Sequence, residues 1–89
     1  MGWQIAFDEV AKKQLAKLDK PAAKRINRFL RDRVSTLDNP RSLGAALQGA
    51  ELGDYWKYRV GDYRIIAKII DNDILILVLK LGNRKEVYR

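Results

Sequence analysis

The chain has 89 residues, with 18 Lys plus Arg against 11 Asp plus Glu, a formal charge of +7, and neither cysteine nor histidine. That length supports one domain over residues 1–89 with one modest core, and the missing cysteines exclude a disulfide framework, a thiolate nucleophile and a cysteine metal site. Without histidine the commonest metal ligand and neutral-pH acid/base are also gone, so no cofactor or metal is expected, while the excess positive charge makes polyanions the first partner class.

The opening "MGWQIAFDEV" lacks a charged leader followed by an apolar run, and no stretch reaches the ~20 apolar residues of a membrane span. A soluble cytoplasmic protein with no membrane partner is the expectation. "WQIAF" (Trp3 to Phe7) alternates and carries aromatic and β-branched residues, which predicts a short strand ending at Asp8, a helix N-cap residue. "DEVAKKQLAKL" then sets Ala11, Leu15 and Leu18 on one stripe with Lys12, Lys13 and Lys17 outside it. Pro21 is tolerated only in a first helical turn, so a second helix is predicted to begin near Lys20 or Pro21. Its apolar stripe is Ala22, Ile26, Phe29, Leu30, Val34 and Leu37; the opposite face carries Lys24, Arg25, Arg28, Arg31 and Arg33 against one acid, Asp32. Residues 38–54, with Asn39, Pro40 and the three glycines Gly44, Gly49 and Gly53, read as a loop with a weak helical turn around Ala45 to Leu47.

From Tyr55 the pattern becomes that of sheet: "YWKYRV", "GD", "YRIIAKII", "DND", "ILILVLKL". The order β-α-α-β-β-β predicts an α+β fold, a helical hairpin on one face of a largely antiparallel four-stranded sheet, with the last run as a central strand. Two residues with glycine first fit a type II′ hairpin turn, which fixes the register at Val60 opposite Tyr63 and Arg59 opposite Arg64. Alternation then puts Lys57, Arg59, Arg64 and Lys68 on one face, and Trp56, Tyr58, Val60, Tyr63, Ile65, Ala67 and Ile69 on the other. A like-charge pair across two strands is destabilising, so Arg59 facing Arg64 points to an anion that completes the site, and two guanidinium forks suit a phosphate. In the tail "LGNRKEVYR", Arg84 and Tyr88 are four apart and form a candidate pair. A tyrosine ordinarily titrates near ~10 and is a poor base at neutral pH, but neighbouring cations stabilise the tyrosinate.

On "YRVGDYRII" and "GNRKEVYR" above all, and on "LDNPR" and "LQGAELGDYWKYRVGDYRII" more broadly, the sequence resembles the RelE/ParE superfamily of bacterial and archaeal toxins, the RelE branch more closely. The resemblance covers nearly the whole chain. It implies the RelE-like fold and a toxin of a type II toxin–antitoxin system: a metal-independent endoribonuclease that cuts mRNA in the A site of a 70S-type ribosome by 2′-OH attack on the adjacent phosphate. It also implies a cognate RelB-like antitoxin as partner, the toxin being a monomer alone or part of a heteromer with it. Matched residue by residue, the catalytic set falls on Lys57, Arg59, Arg64, Arg84 and Tyr88. Lys57 and Arg59 would stabilise the nucleophile and phosphorane, Arg64 would clamp the phosphate, Arg84 would act at the leaving oxygen, and Tyr88 would serve as base or stack on a base. Lys68, Lys24, Arg25, Arg28, Arg31 and Arg33 would contact RNA, the ribosomal RNA included. Many relatives carry His where this chain has Asn83, so a histidine-assisted step cannot operate; Arg59 stands where some have Lys, and Glu86 offers another base. Two other readings fit the same residues: a ParE-like poison of DNA gyrase, whose branch usually lacks the arginine and tyrosine pattern, and a non-enzymatic RNA-binding module.

Overall fold

The computed structural model describes residues 2–47 and 55–87. Strand β1 (Gln4–Phe7) leads into helices α1 (Glu9–Lys17) and α2 (Lys20–Arg28), and β2 (Ala45–Ala46), β3 (Tyr55–Val60), β4 (Tyr63–Ile70) and β5 (Leu75–Asn83) follow. The sheet order is β1-β5-β4-β3-β2, antiparallel except where β1 runs parallel to β5. The helices cover one face: Ala11, Ile26, Leu30 and Val34 pack with Tyr58, Val60, Ile65, Ala67, Ile76, Val78 and Leu81 in one buried cluster. Among the described residues no helix is long and apolar enough to cross a membrane.

Both helices start where the sequence places them. Asp8 and Asp19 occupy the N-cap positions in extended conformation without a side-chain capping bond, and Pro21 sits in the first turn of α2. Past Arg28 the helix widens into a π-helical turn over Phe29–Val34, closed by the Ser35 amide donating to the Leu30 carbonyl at 2.8 Å. Ser35 then holds β1, its carbonyl accepting from the Trp3 amide at 2.8 Å. An apolar stripe cannot reveal a one-residue widening of this kind, because Ile26, Leu30 and Val34 are buried either way.

Two expectations need correction. The sheet has five strands rather than four, since Ala45 and Ala46 pair with Lys57 and Trp56 where a loop with a helical turn was expected. Two consecutive alanines carry no alternation; only pairing with β3 makes them a strand. The last apolar run is interior rather than central: β5 lies between β1 and β4, and β4 is the middle strand. In β5 Ile76 and Val78 face the helices, and an unpaired extra residue at Leu79 shifts the register so that Lys80 pairs with Ile66 and Val78 with Ala67. This bulge turns Leu81 inward and puts Gly82 opposite Arg64. The amide of Leu81 donates to Gln14 Oε1 on α1 at 2.7 Å, fixing the end of β5 against the helix.

Candidate active site

The hairpin is built as its residues dictate. Gly61 adopts φ +58 while Asp62 stays out of the positive region, as a type II′ turn requires, and the pairing is Val60 with Tyr63, Arg59 with Arg64 and Lys57 with Ile66. Tyr58, Val60, Ile65, Ala67 and Ile69 are buried on the helix side, whereas Lys57 and Arg64 are half-buried and Arg59 and Lys68 exposed on the other. Ile66 lies among these cations and is only 6% exposed, so the cationic face has an apolar centre.

Lys57, Arg59 and Arg64 line one cleft of about 310 Å³ with Gly44, Ala45 and Tyr58. Among the described residues no acidic side chain lines it, and none of the three cations makes an ion pair. Arg64 is positioned by neutral partners: its Nη1 donates to the carbonyls of Gly61 and Tyr63, both at 2.9 Å. Its charge is therefore held in place without being neutralised, which suits a group that must meet an incoming anion.

The far wall of the cleft depends on Gly44, which sequence reasoning passed over as one loop glycine among several. Its φ is +82, and a Cβ there would fall on the Lys57 carbonyl oxygen and crowd the Trp56 indole. The indole Nε1 donates to the Leu43 carbonyl at 2.7 Å, and the Tyr58 hydroxyl donates to the Pro40 carbonyl at 2.7 Å. Burial pushes the Tyr58 hydroxyl up to about 12, with Arg41 pulling the other way. A hydroxyl so committed is a strut, not a base. Arg41, in the short turn Pro40–Ser42, grips Asp71 beyond β4 through two 2.9 Å bonds, and each raises or lowers the other accordingly: Arg41 moves up and the Asp71 carboxyl drops below its ordinary range.

Of the remaining sequence-derived residues, Arg84 is exposed and its amide donates to the Asp62 carbonyl at 2.9 Å, so the tail is tied to the hairpin turn. Tyr88 lies outside the described residues. Lys68 shares the face of Arg64 but stands four residues along β4, about 13 Å away with buried Ile66 between, and it does not line the cleft. Glu86 lines a different groove, with Gln14, Lys17, Leu18 and Tyr63, on the α1 side. Arg25, Arg28 and Arg33 line a groove between α2 and the hairpin that also includes Arg59, and Lys24 and Arg31 lie in a neighbouring one with Arg28. Among the described residues no three Asp, Glu, His or Cys side chains come together.

The family model described as "ParE toxin of type II toxin-antitoxin system, parDE" matches residues 5–88. The mRNA interferase toxin RelE of Escherichia coli K12 is 30% identical over 90 residues, covering 99% of this chain and 92% of the relative. Among solved structures, the RelBE2 toxin–antitoxin complex of Mycobacterium tuberculosis aligns with a TM-score of 0.84 at 24% identity, covering 94% of this chain and 100% of that one. The archaeal RelE–RelB complex of Pyrococcus horikoshii aligns at 0.73 with 30% identity, covering 98% and 100%. The chain belongs to the ParE toxin family of type II toxin–antitoxin systems, as a RelE-like member of the RelE/ParE superfamily.

Proposed function

We propose that this toxin is a metal-independent endoribonuclease that cleaves mRNA in the A site of a 70S-type ribosome and so inhibits translation in the cytoplasm, and that a RelB-like antitoxin restrains it. The observation that carries the reading is the cleft where Lys57, Arg59 and Arg64 converge with no acidic side chain among the described lining residues, beside a tail anchored at Arg84. Attack by a ribose 2′-OH on the adjacent phosphate needs a proton removed, a doubly charged phosphorane held and a leaving oxygen protonated. Lys57 and Arg59 stabilise the nucleophile and phosphorane, Arg64 clamps the phosphate, and Arg84 meets the leaving oxygen. Tyr88 is assigned the proton transfer on sequence grounds, because Tyr58 is committed to Pro40 and Glu86 belongs to another groove. Lys68, Lys24, Arg25, Arg28, Arg31 and Arg33 extend the positive surface for RNA, including ribosomal RNA.

Mapping mRNA ends on translating ribosomes tests the activity: new ends within A-site codons are expected with the wild-type protein and not with Arg84→Ala. Unchanged ends with wild type would reject it. The ParE name of the matching family favours a second reading, binding to DNA gyrase; supercoiling and cleavage assays with purified gyrase would detect it.

A further inference from the structure

The hairpin turn carries more guanidinium groups than its own two strands supply. Gly61 lacks a side chain, and the Arg25 guanidinium of α2 lies over it, its Nη1, Nη2 and Cζ at 3.0, 3.1 and 3.2 Å from where a Cβ would stand. Arg64 Nη1 donates to the carbonyl of the same residue. Gly61 is thus met by one arginine of the cleft and one of the helix. Beyond it opens a second groove, about 460 Å³, whose lining includes Arg25, Arg28, Phe29, Asp32, Arg33 and Arg59. Arg59 lines both this groove and the cleft.

The row that faces the hairpin is Arg25, Phe29 and Arg33, spaced by four, with Arg28 alongside. Among the described residues four guanidiniums stand here against one carboxylate, that of Asp32, and none of the four makes an ion pair. All four cations are arginine, whose planar fork binds phosphate through two hydrogen bonds, where lysine acts as a point charge. Phe29, half-buried and edge-on to Tyr58 with ring centroids 6.1 Å apart, gives the groove an apolar floor of the kind on which any base can stack.

Resting on the endoribonuclease reading, we infer that this groove is a second phosphate subsite for the same single-stranded RNA: the strand leaves the cleft, crosses the turn at Gly61 and places a neighbouring phosphate among Arg25, Arg28 and Arg33. Arg59 is the hinge between the two subsites. A single strand of RNA suits the site better than an acidic protein segment, because the groove shares Arg59 with the cleft and combines forks with an aromatic floor.

The test uses the full-length protein and non-cleavable 2′-O-methyl RNA, a trinucleotide and an octanucleotide, by fluorescence anisotropy over a range of salt. For the exposed pair Arg28→Gln/Arg33→Gln, octanucleotide affinity is expected to fall about tenfold or more, with the slope of log affinity against log salt shallower by about 0.7 per lost phosphate contact. Trinucleotide affinity should be unchanged. Equal losses for both lengths, or none for the octanucleotide, would overturn the subsite. So would intact octanucleotide binding together with weakened antitoxin capture, which would give the groove to the protein partner. Lys57→Ala should weaken both lengths; if it weakens neither while the groove variant acts on the octanucleotide, the cleft reading fails and the subsite stands.

Discussion

Arg41 and Arg59 meet the same electrostatic problem in opposite ways. Arg41 is given its own carboxylate, a two-bond pair with Asp71, and sits in the turn whose Pro40 carbonyl receives Tyr58. Arg59 is given another arginine: it faces Arg64 across the hairpin, in a cleft with no acidic side chain among its described lining residues. A guanidinium supplied with a carboxylate from its own chain belongs to the scaffold. One set against a like charge has a ligand's place left beside it.

The largest expected effect breaks this contrast from the functional side. Arg59→Ala should lower ribosome-dependent cleavage by roughly 100-fold or more, the scale on which a removed transition-state donor acts. Its stability in urea should hold or rise by a few tenths of a kcal/mol, because a repulsive cross-strand pair has gone. A variant that lost activity only in proportion to lost folding would place Arg59 with Arg41 in the scaffold.

Next come two glycines held at positive φ, Gly44 in the wall of the cleft and Gly61 in the turn beside the second groove. Gly44→Ala puts a Cβ at φ +82 against β3 backbone and should destabilise by about 3 kcal/mol, read from the urea midpoint. At Gly61→Ala the obstructing atoms are the movable end of Arg25, so the cost should be nearer ~1 kcal/mol. If the order were reversed, the cleft wall at Gly44 would not be the rigid one.

Tyr58→Phe probes the strut between the two arginine environments. Removing the hydroxyl leaves the Pro40 carbonyl unpaired in a buried position, at about 1–2 kcal/mol, and cleavage should persist. The pH dependence has a definite sign. The folded hydroxyl titrates at about 12, above the ordinary ~10 of an unfolded tyrosine, so its contribution is whole below pH ~10 and lost as pH rises toward 12. Urea melts at pH 8 and 11 should show the wild-type advantage over Tyr58→Phe shrinking at the higher pH. A cleavage defect as deep as that of Arg59→Ala would make Tyr58 a participant in the chemistry.

The hairpin was legible in the sequence because its rules are local: alternation assigns faces, and a two-residue Gly-Asp turn fixes which residues face each other, so the meeting of Arg59 and Arg64 needed no tertiary information. Gly44 was not legible, since its role depends on the Lys57 carbonyl arriving from β3. The same holds for Ala45–Ala46, for the bulge at Leu79 and for Arg25 lying on Gly61, each set by a distant partner rather than by a period. Arg41 shows the limit most plainly. "LDNPR" marked a turn, and nothing in its neighbourhood announced a carboxylate 30 residues away.

That pair supplies the smallest and most discriminating effect. Arg41 and Asp71 are both largely solvent-exposed, so screening leaves the bond modest despite its geometry. The hydrogen bond to Arg41 is the main cause of the lowered Asp71 carboxyl, and a group lowered on folding adds stability above its unfolded value, near ~3.9, and loses it as pH falls through the folded one. Acid titrations of wild type and Arg41→Ala should therefore converge below pH ~4, and 1 M salt should narrow their gap at neutral pH. Cleavage per folded molecule should be equal in the two. Should Arg41→Ala instead abolish cleavage while leaving the acid limb untouched, the pair would belong to the site and an internal carboxylate would no longer mark an arginine as scaffold.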